Sequence, residues 1–152
     1  MKYTLSAQPI QLRGRSVCLW PLFLLVLLLV ACNSGPPPEP EGPTIGDIPV
    51  IPSAAEIPED QLLLALSQMA QVHRGTVQNP TIAFFTVDQP LIDTIDYYQT
   101  ELDRFGWSLV DVLEFGNGGF VRRYHRGEQR AILAFHPNDN STDFMLLQGT
   151  IQ

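Results

Sequence analysis

The chain has 152 residues, 45% of them hydrophobic, and a net charge of −7, a length that suits one domain rather than two large ones. The part after Cys32 carries all 16 acidic residues but only six of the nine basic ones, for a net charge of −10. This acidity argues against nucleic-acid binding, which needs a basic surface. The only two cysteines, Cys18 and Cys32, exclude a disulfide scaffold and a cysteine-based zinc site.

The first 31 residues have the layout of a signal peptide. Three basic residues, Lys2, Arg13 and Arg15, precede an uncharged apolar run from Val17 to Ala31. As a helix this run is about 22 Å long, which is short of the bilayer core of about 30 Å. Because positive flanks stay in the cytoplasm, the pattern predicts that the rest of the chain is exported.

The sequence Leu29-Val30-Ala31-Cys32 resembles the lipobox of bacterial lipoproteins. The resemblance implies that the Cys32 thiol takes a diacylglyceryl group and that the lipoprotein signal peptidase cleaves between Ala31 and Cys32. A diacylglyceryl cysteine that is also N-acylated is a stable tether, since two or more acyl chains hold a protein durably in a membrane. We therefore expect a lipid anchor in the cell membrane or the outer membrane, with the domain outside the cytoplasm. The alternative is an uncleaved membrane anchor.

A proline-rich segment follows, with eight prolines between Asn33 and Pro58. Proline at this density disfavours helix and sheet and favours an extended polyproline II chain. We divide the chain into a signal peptide (1–31), a lipidated cysteine with a proline-rich linker (32–58) and a globular domain (59–152). The end of the linker, Ile48 to Ile57, is apolar enough to dock onto the domain.

The first predicted elements of the domain are a short helix and a buried strand. Asp60 is expected to cap a helix that runs to about Val72. Gly75 and the Asn79-Pro80 pair are expected to end it and open a turn. Thr81 to Val87 has apolar residues at both alternations, which is typical of a central strand covered on both sides.

The next element is a long amphipathic helix. Asp88 is its predicted N-cap, with Pro90 in the first turn, and Gly106 is expected in the left-handed C′ position, with Trp107 packing back on the helix. Spacings of three and four residues join the apolar stripe of this helix, which comprises Leu91, Ile95, Tyr98, Leu102 and Phe105.

Four strand-like runs complete the chain, separated by short polar or glycine-rich breaks that predict antiparallel hairpins. The runs are Trp107–Phe115, Phe120–Arg126, Arg130–His136 and Thr142–Thr150. The predicted fold class is α+β: a mostly antiparallel sheet of about five strands packed against one main amphipathic helix, with a shorter N-terminal helix.

The order Tyr97-Tyr98, Leu102, Gly106-Trp107, after the segment IPVIPSA, is similar to a pattern in small uncharacterised bacterial lipoprotein domains. There, a proline-containing segment precedes a strand, and such a helix end precedes a hairpin sheet. The likeness covers roughly residues 48–152. No activity is attached to this pattern, so it implies a fold and no catalytic residue.

No catalytic or metal-binding arrangement is recognisable. There is no Gly-x-Ser-x-Gly elbow, and His73, His125 and His136 lack metal-ligand spacing, although the last two would meet across a hairpin in a suitable register. Asp111 and Glu114 fall on opposite faces of a regular strand, which separates them as a carboxylate pair. We predict no enzymatic activity, no cofactor and no metal.

Four arginines, Arg122, Arg123, Arg126 and Arg130, stand within nine residues of this acidic domain. Because guanidinium groups bind carboxylate and phosphate through two parallel hydrogen bonds, they form the predicted contact for an envelope protein or an anionic polymer. The alternative is that they pair with Glu114, Asp111 or Glu128, or face water.

These observations predict a membrane-tethered envelope lipoprotein that acts as a non-enzymatic binding or adaptor module. A second interpretation is a small-ligand carrier with a groove between helix and sheet. The aromatic residues proposed to line such a groove, which alternatively belong to the core, are Phe84, Tyr98, Trp107 and Tyr124.

Overall fold

The computed structural model describes residues 42–151, which form a six-stranded antiparallel sheet with a helix on each face. The strand order is β3-β4-β8-β7-β6-β5, and β1 and β2 form a separate two-stranded ladder. The strands are β1 (Thr44–Ile45), β2 (Ile48–Pro49), β3 (Ala55–Glu56), β4 (Val77–Val87), β5 (Ser108–Phe115), β6 (Gly119–Arg126), β7 (Gln129–Asn138) and β8 (Ser141–Ile151); the helices are α1 (Leu64–Arg74) and α2 (Leu91–Arg104).

The predicted α+β class and antiparallel sheet are confirmed, with six strands in the main sheet where about five were expected. The strand missing from the prediction is β3, which has only two residues and lies between Pro52 and Pro58. It pairs with β4 at Phe85 and Thr86. A strand this short among prolines leaves no periodic signal in the sequence.

Helix α2 covers one face of the sheet with the predicted stripe. Its apolar residues join Phe85, Leu133 and Phe144 of the sheet in one core. The helix ends as expected: Gly106 has φ +78°, and the Trp107 amide donates to the Leu102 carbonyl at 2.9 Å, as in a Schellman motif. The N-cap prediction was wrong, because Pro90 rather than Asp88 precedes the first helical residue.

Helix α1 covers the opposite face and forms a second core with Phe84, Ile132 and Met145. The predicted cap at Asp60 was also wrong. Residues 59–61 form a separate 3₁₀ turn, and α1 begins at Leu64 without a side-chain cap. Both faces of the sheet are therefore buried under a helix, which accounts for the apolar residues at both alternations of its central strands.

Strand β4 is longer than predicted and contains the Asn79-Pro80 pair, which is not a turn. The register against β8 shifts between Gln78 and Thr81, and Asn79 has φ +50°. The pair forms a β-bulge, in which proline removes one backbone donor from the strand. The buried character predicted for Thr81–Val87 is confirmed at Ala83, Phe84, Phe85 and Val87.

The folded body includes residues that composition alone assigns to the linker. Ile48, Val50 and Ile51 are at most 7% exposed and belong to the core under α2. The Asp47 amide donates to the Gln148 side-chain oxygen at 2.7 Å. The segment Ile48–Ile57 thus docks on the domain, as its apolar character suggested. Regular structure begins at Thr44, about fifteen residues before Glu59, where the sequence analysis placed the start of the globular domain.

Candidate binding surface

The four arginines of the β6–β7 hairpin point to two different faces of the sheet. Adjacent strand residues alternate in direction, so Arg122 and Arg126 lie on the face covered by α2. Arg123 pairs across the strands with the buried Ile132, which belongs to the core under α1, and Arg130 is two residues from Ile132 on the same face. The hairpin therefore does not gather the four charges into one patch.

Arg126 fastens the N-terminal segment to the end of α2. Its guanidinium lies 4.6 Å from the centre of the Trp107 ring and donates to the Phe105 carbonyl at 3.3 Å. It also forms an ion pair with Asp47 and donates to Gln129 Oε1 at 2.6 Å. Because its guanidinium is engaged by these internal partners, Arg126 stabilises the fold and is not free to bind an external anion.

Arg123 forms a two-bond ion pair with Asp111 of β5, in which its Nε donates to Oδ1 at 2.6 Å. This hydrogen bond lowers the pKa of Asp111 and raises the pKa of Arg123. The pair approaches His73 of α1, where burial, and then the Arg123 charge, lower the pKa of the imidazole. Pairing with Asp111 is one of the alternatives that the sequence left open.

The other two arginines are less tightly engaged. Arg122 donates from one terminal nitrogen to Gln99 Oε1 of α2 at 3.0 Å and to the Tyr124 hydroxyl at 3.5 Å. Its Nε is buried without a hydrogen-bond partner among the described residues. Within residues 42–151, the side chain of Arg130 makes no hydrogen bond or ion pair, although its charge helps to lower the pKa of Asp111.

All four aromatic residues proposed for a ligand groove belong to the two cores. Tyr98, Trp107 and Tyr124 are at most 2% exposed, and burial raises the pKa of Tyr98 far above its ordinary range. Phe84 contributes to a cleft of about 330 Å³ beside α1, which Leu62 and Arg74 also line. This cleft lies between α1 and residues 59–62, and Phe84 of β4 lines it from the sheet.

The histidines and carboxylates do not form a reactive group. His125 pairs with Arg130, whereas His136 lies opposite Asp143 at the other end of β7, so the two histidines do not meet. Asp111 and Glu114 lie on opposite faces of β5, as predicted. In the described part of the chain, no group of three or more His, Cys, Asp or Glu side chains is placed to hold a metal ion.

The feature that the sequence analysis missed is the edge of the sheet at β5. This strand is the last in the strand order, so no described strand pairs with its outer side. Four of its apolar side chains are exposed, at fractions between 42% and 58%: Leu109, Val110, Val112 and Leu113. They occupy both faces, since Val112 pairs with Arg122 and Leu113 pairs with Val121.

The two edges of the sheet differ in their protection. At the far edge, β3 covers two residues of β4, and the stretch beyond carries Pro80 and a bulge. Proline and bulges discourage pairing with another chain. Strand β5 has no proline and no lysine, and its register is interrupted only between Leu109 and Asp111. The sequence signal was the run LVDVL, which is apolar at both alternations.

The predicted cleavage site at Ala31 and the predicted lipidation site at Cys32 lie outside the described residues. Among residues 42–151, no helix is long and apolar enough to cross a membrane. No protein-family model, no curated protein and no solved structure matches the chain.

Proposed function

We propose that this chain is a lipid-anchored, non-enzymatic binding module of the bacterial envelope that holds a partner by strand addition at β5. The observation that supports this function is the open edge of β5 with exposed apolar side chains on both faces. In strand addition, backbone hydrogen bonds supply affinity and alternating side chains supply selectivity. A soluble domain that leaves such an edge open risks aggregation unless a partner covers it.

The distribution of arginine contacts favours β5 over the arginine hairpin as the contact surface. Arg123 and Arg126 already hold carboxylates of their own chain. Recruiting them to an external anion costs those internal ion pairs, whereas pairing along β5 breaks no described contact. The partner is therefore a protein segment in extended conformation rather than an anionic polymer.

The anchor rests on the lipobox resemblance and has its own test. Cys32→Ser is expected to abolish incorporation of an alkyne-labelled fatty acid in a bacterial host and to release the chain from the membrane fraction. Cys18→Ser is the matched control, because Cys18 belongs to the predicted signal peptide and should leave labelling intact. Equal labelling of wild type and Cys32→Ser contradicts the anchor.

The binding site is tested by placing a photoreactive amino acid at Val112 of the full chain in its native host. The matched control is the same substitution at Val72, an apolar residue of α1 that is 62% exposed. We expect a discrete protein cross-link from position 112 and none from position 72. Cross-links of equal yield from both positions, or from neither, contradict strand addition at β5.

The cleft beside α1 supports a second candidate function, that of a small-ligand carrier. Its volume of about 330 Å³ is in the range of small-molecule sites. Native mass spectrometry of the purified chain is expected to reveal a retained ligand that Ser67→Trp, within the cleft, displaces. Val72→Trp, on the exposed side of α1, is the matched control. No retained mass, or one that survives Ser67→Trp, contradicts the carrier function.

A further inference from the structure

We infer that the strand added to β5 is β5 of a second copy of this chain, related by a two-fold axis that passes between the two Leu113 residues. This inference rests on the proposed function, because it names the partner of that same edge. The pairing joins the two sheets into one antiparallel sheet of twelve strands. The symmetry of the edge, its side chains and its local charge support this pairing.

Symmetry limits the registers that are available. Two identical antiparallel neighbours are related by a two-fold axis normal to the sheet, so each residue pairs with one on the same face. The register shift between Leu109 and Asp111 restricts the regular edge to residues 111–115. A centre at Leu113 pairs this whole stretch, with Asp111 opposite Phe115 of the second copy. A centre at Asp111 brings two carboxylates face to face, which is unfavourable.

The side chains are complementary in the Leu113-centred register. On the α1 face, Leu113 meets Leu113 of the second copy, beside Phe115. On the α2 face, Val112 lies between Arg122, its partner within the chain, and Glu114 of the second copy. The guanidinium of Arg122, which donates to Gln99 and Tyr124, thus shares a row of the joined sheet with an opposite charge two strands, or about 10 Å, away.

Local charge balance distinguishes this edge from the rest of the surface. The part of the chain after Cys32 has a net charge of −10, and such self-repulsion opposes association in general. On β5, however, Asp111 forms an ion pair with Arg123, and Glu114 shares a row with Arg122 of the other copy, with Val112 of that copy between them. Each acidic residue of this edge is therefore accompanied by an arginine, which reduces the repulsion between two acidic copies that meet there.

Cysteine cross-linking of the full chain in membranes tests the register. Leu113→Cys places one thiol on each side of the two-fold axis, with Cβ atoms about 4.5–5.5 Å apart. Two cysteines at position 112 instead lie diagonally across the two strands, about 7–8 Å apart. We expect disulfide dimers to form from Leu113→Cys about tenfold faster than from Val112→Cys. Val72→Cys and the wild-type chain set the background.

A charge exchange tests the same contact without altering the apolar centre. Glu114→Arg and Arg122→Glu are each expected to weaken dimerisation of the full chain in detergent about tenfold, measured by analytical ultracentrifugation, because each places like charges in one row. The double variant is expected to restore the wild-type dissociation constant within about threefold. Circular dichroism checks that each variant is folded. An additive loss in the double variant overturns the inference.

The outcomes separate this inference from the proposed function. If the wild-type chain is monomeric, Leu113→Cys forms no dimer and a photoreactive residue at Val112 captures a different protein, the second copy is refuted and strand addition stands. If β5 variants change neither self-association nor capture, both proposals fail. Equal rates of disulfide formation from Val112→Cys and Leu113→Cys refute the Leu113-centred register.

Discussion

Replacing Arg126 by alanine separates a structural arginine from a binding one. In the structure this side chain joins three parts of the chain: the N-terminal segment at Asp47, the end of α2 at Phe105 and Trp107, and the start of β7 at Gln129. If Arg126 served an external anion instead, its removal would change binding and leave stability nearly intact. The internal contacts predict the opposite.

The expected loss follows from the individual contacts. Stacking of the guanidinium on Trp107 contributes about 1 kcal/mol in a partly buried setting, and the hydrogen bond to the Phe105 carbonyl contributes about 1 kcal/mol. The ion pair with Asp47, whose side chain is 46% exposed, adds about 0.5 kcal/mol after solvent screening. Because these contacts share one group, we expect Arg126→Ala to lower the free energy of unfolding by about 2 kcal/mol.

Urea denaturation followed by tryptophan fluorescence measures this loss, and thermal melting should show a decrease in Tm of about 8–15 °C. Arg104→Ala is the control, because Arg104 is 58% exposed and makes an ion pair with Glu101 and a contact with the Phe105 ring at 5.6 Å, which together predict a change of about 1 kcal/mol or less. A loss at Arg126 as small as the loss at Arg104 would refute the structural role. A variant lacking all four arginines is therefore unsuitable as a probe of binding.

Two further predictions concern stability. Gly149→Ala places a Cβ 2.7 Å from the Gln78 carbonyl oxygen, whereas the Cβ of Gly116→Ala meets nothing within 4 Å. Chemical denaturation should show that Gly149→Ala lowers the free energy of unfolding by about 1–3 kcal/mol and that Gly116→Ala lowers it much less. Equal losses would argue against the close approach of β4 and β8. Burial and the Arg123 charge lower the pKa of His73, so the unfolded chain takes up its proton first as the pH falls below about 6.5, and stability decreases through that window until the folded-state pKa is reached. His73→Gln should remove this part of the pH dependence in urea titrations at several pH values and His125→Gln, at an exposed site, should retain it; an unchanged pH profile in His73→Gln contradicts this assignment.

Local sequence signals were sufficient to predict the elements whose apolar residues recur with a strong period. The stripe and the Gly106-Trp107 end of α2 are set by residues within one helix, and the glycine-rich and polar breaks fix three hairpins. The helix starts were mispredicted at Asp60 and Asp88, because any acidic residue before an apolar stripe resembles a cap. Burial of the stripe, rather than capping, sets where these helices begin.

The candidate surface was harder to predict, because it depends on strand order and strand direction. Four arginines close in sequence suggested one patch, yet strand alternation sends Arg122 and Arg123 to opposite faces. The apolar run of β5 indicates a strand buried on both sides, and only the strand order reveals that it stands at the edge. Long-range pairing such as that of Asp47 with Arg126, 79 residues apart, leaves no local trace.

The attachment of the N-terminal segment determines how the domain responds to mechanical tension. Strand β3 is held to β4 by two residue pairs, so a pull from the N-terminus detaches it one pair at a time, after the clasp between Asp47 and Arg126 opens. Strand β8, by contrast, is flanked by β4 and β7 along nearly its whole length, and its ladders share the load. Under the proposed N-terminal anchor, we therefore expect the domain to yield first at residues 44–57, with loss of the core contacts of Ile48, Val50 and Ile51, while β5 at the opposite edge keeps its shape.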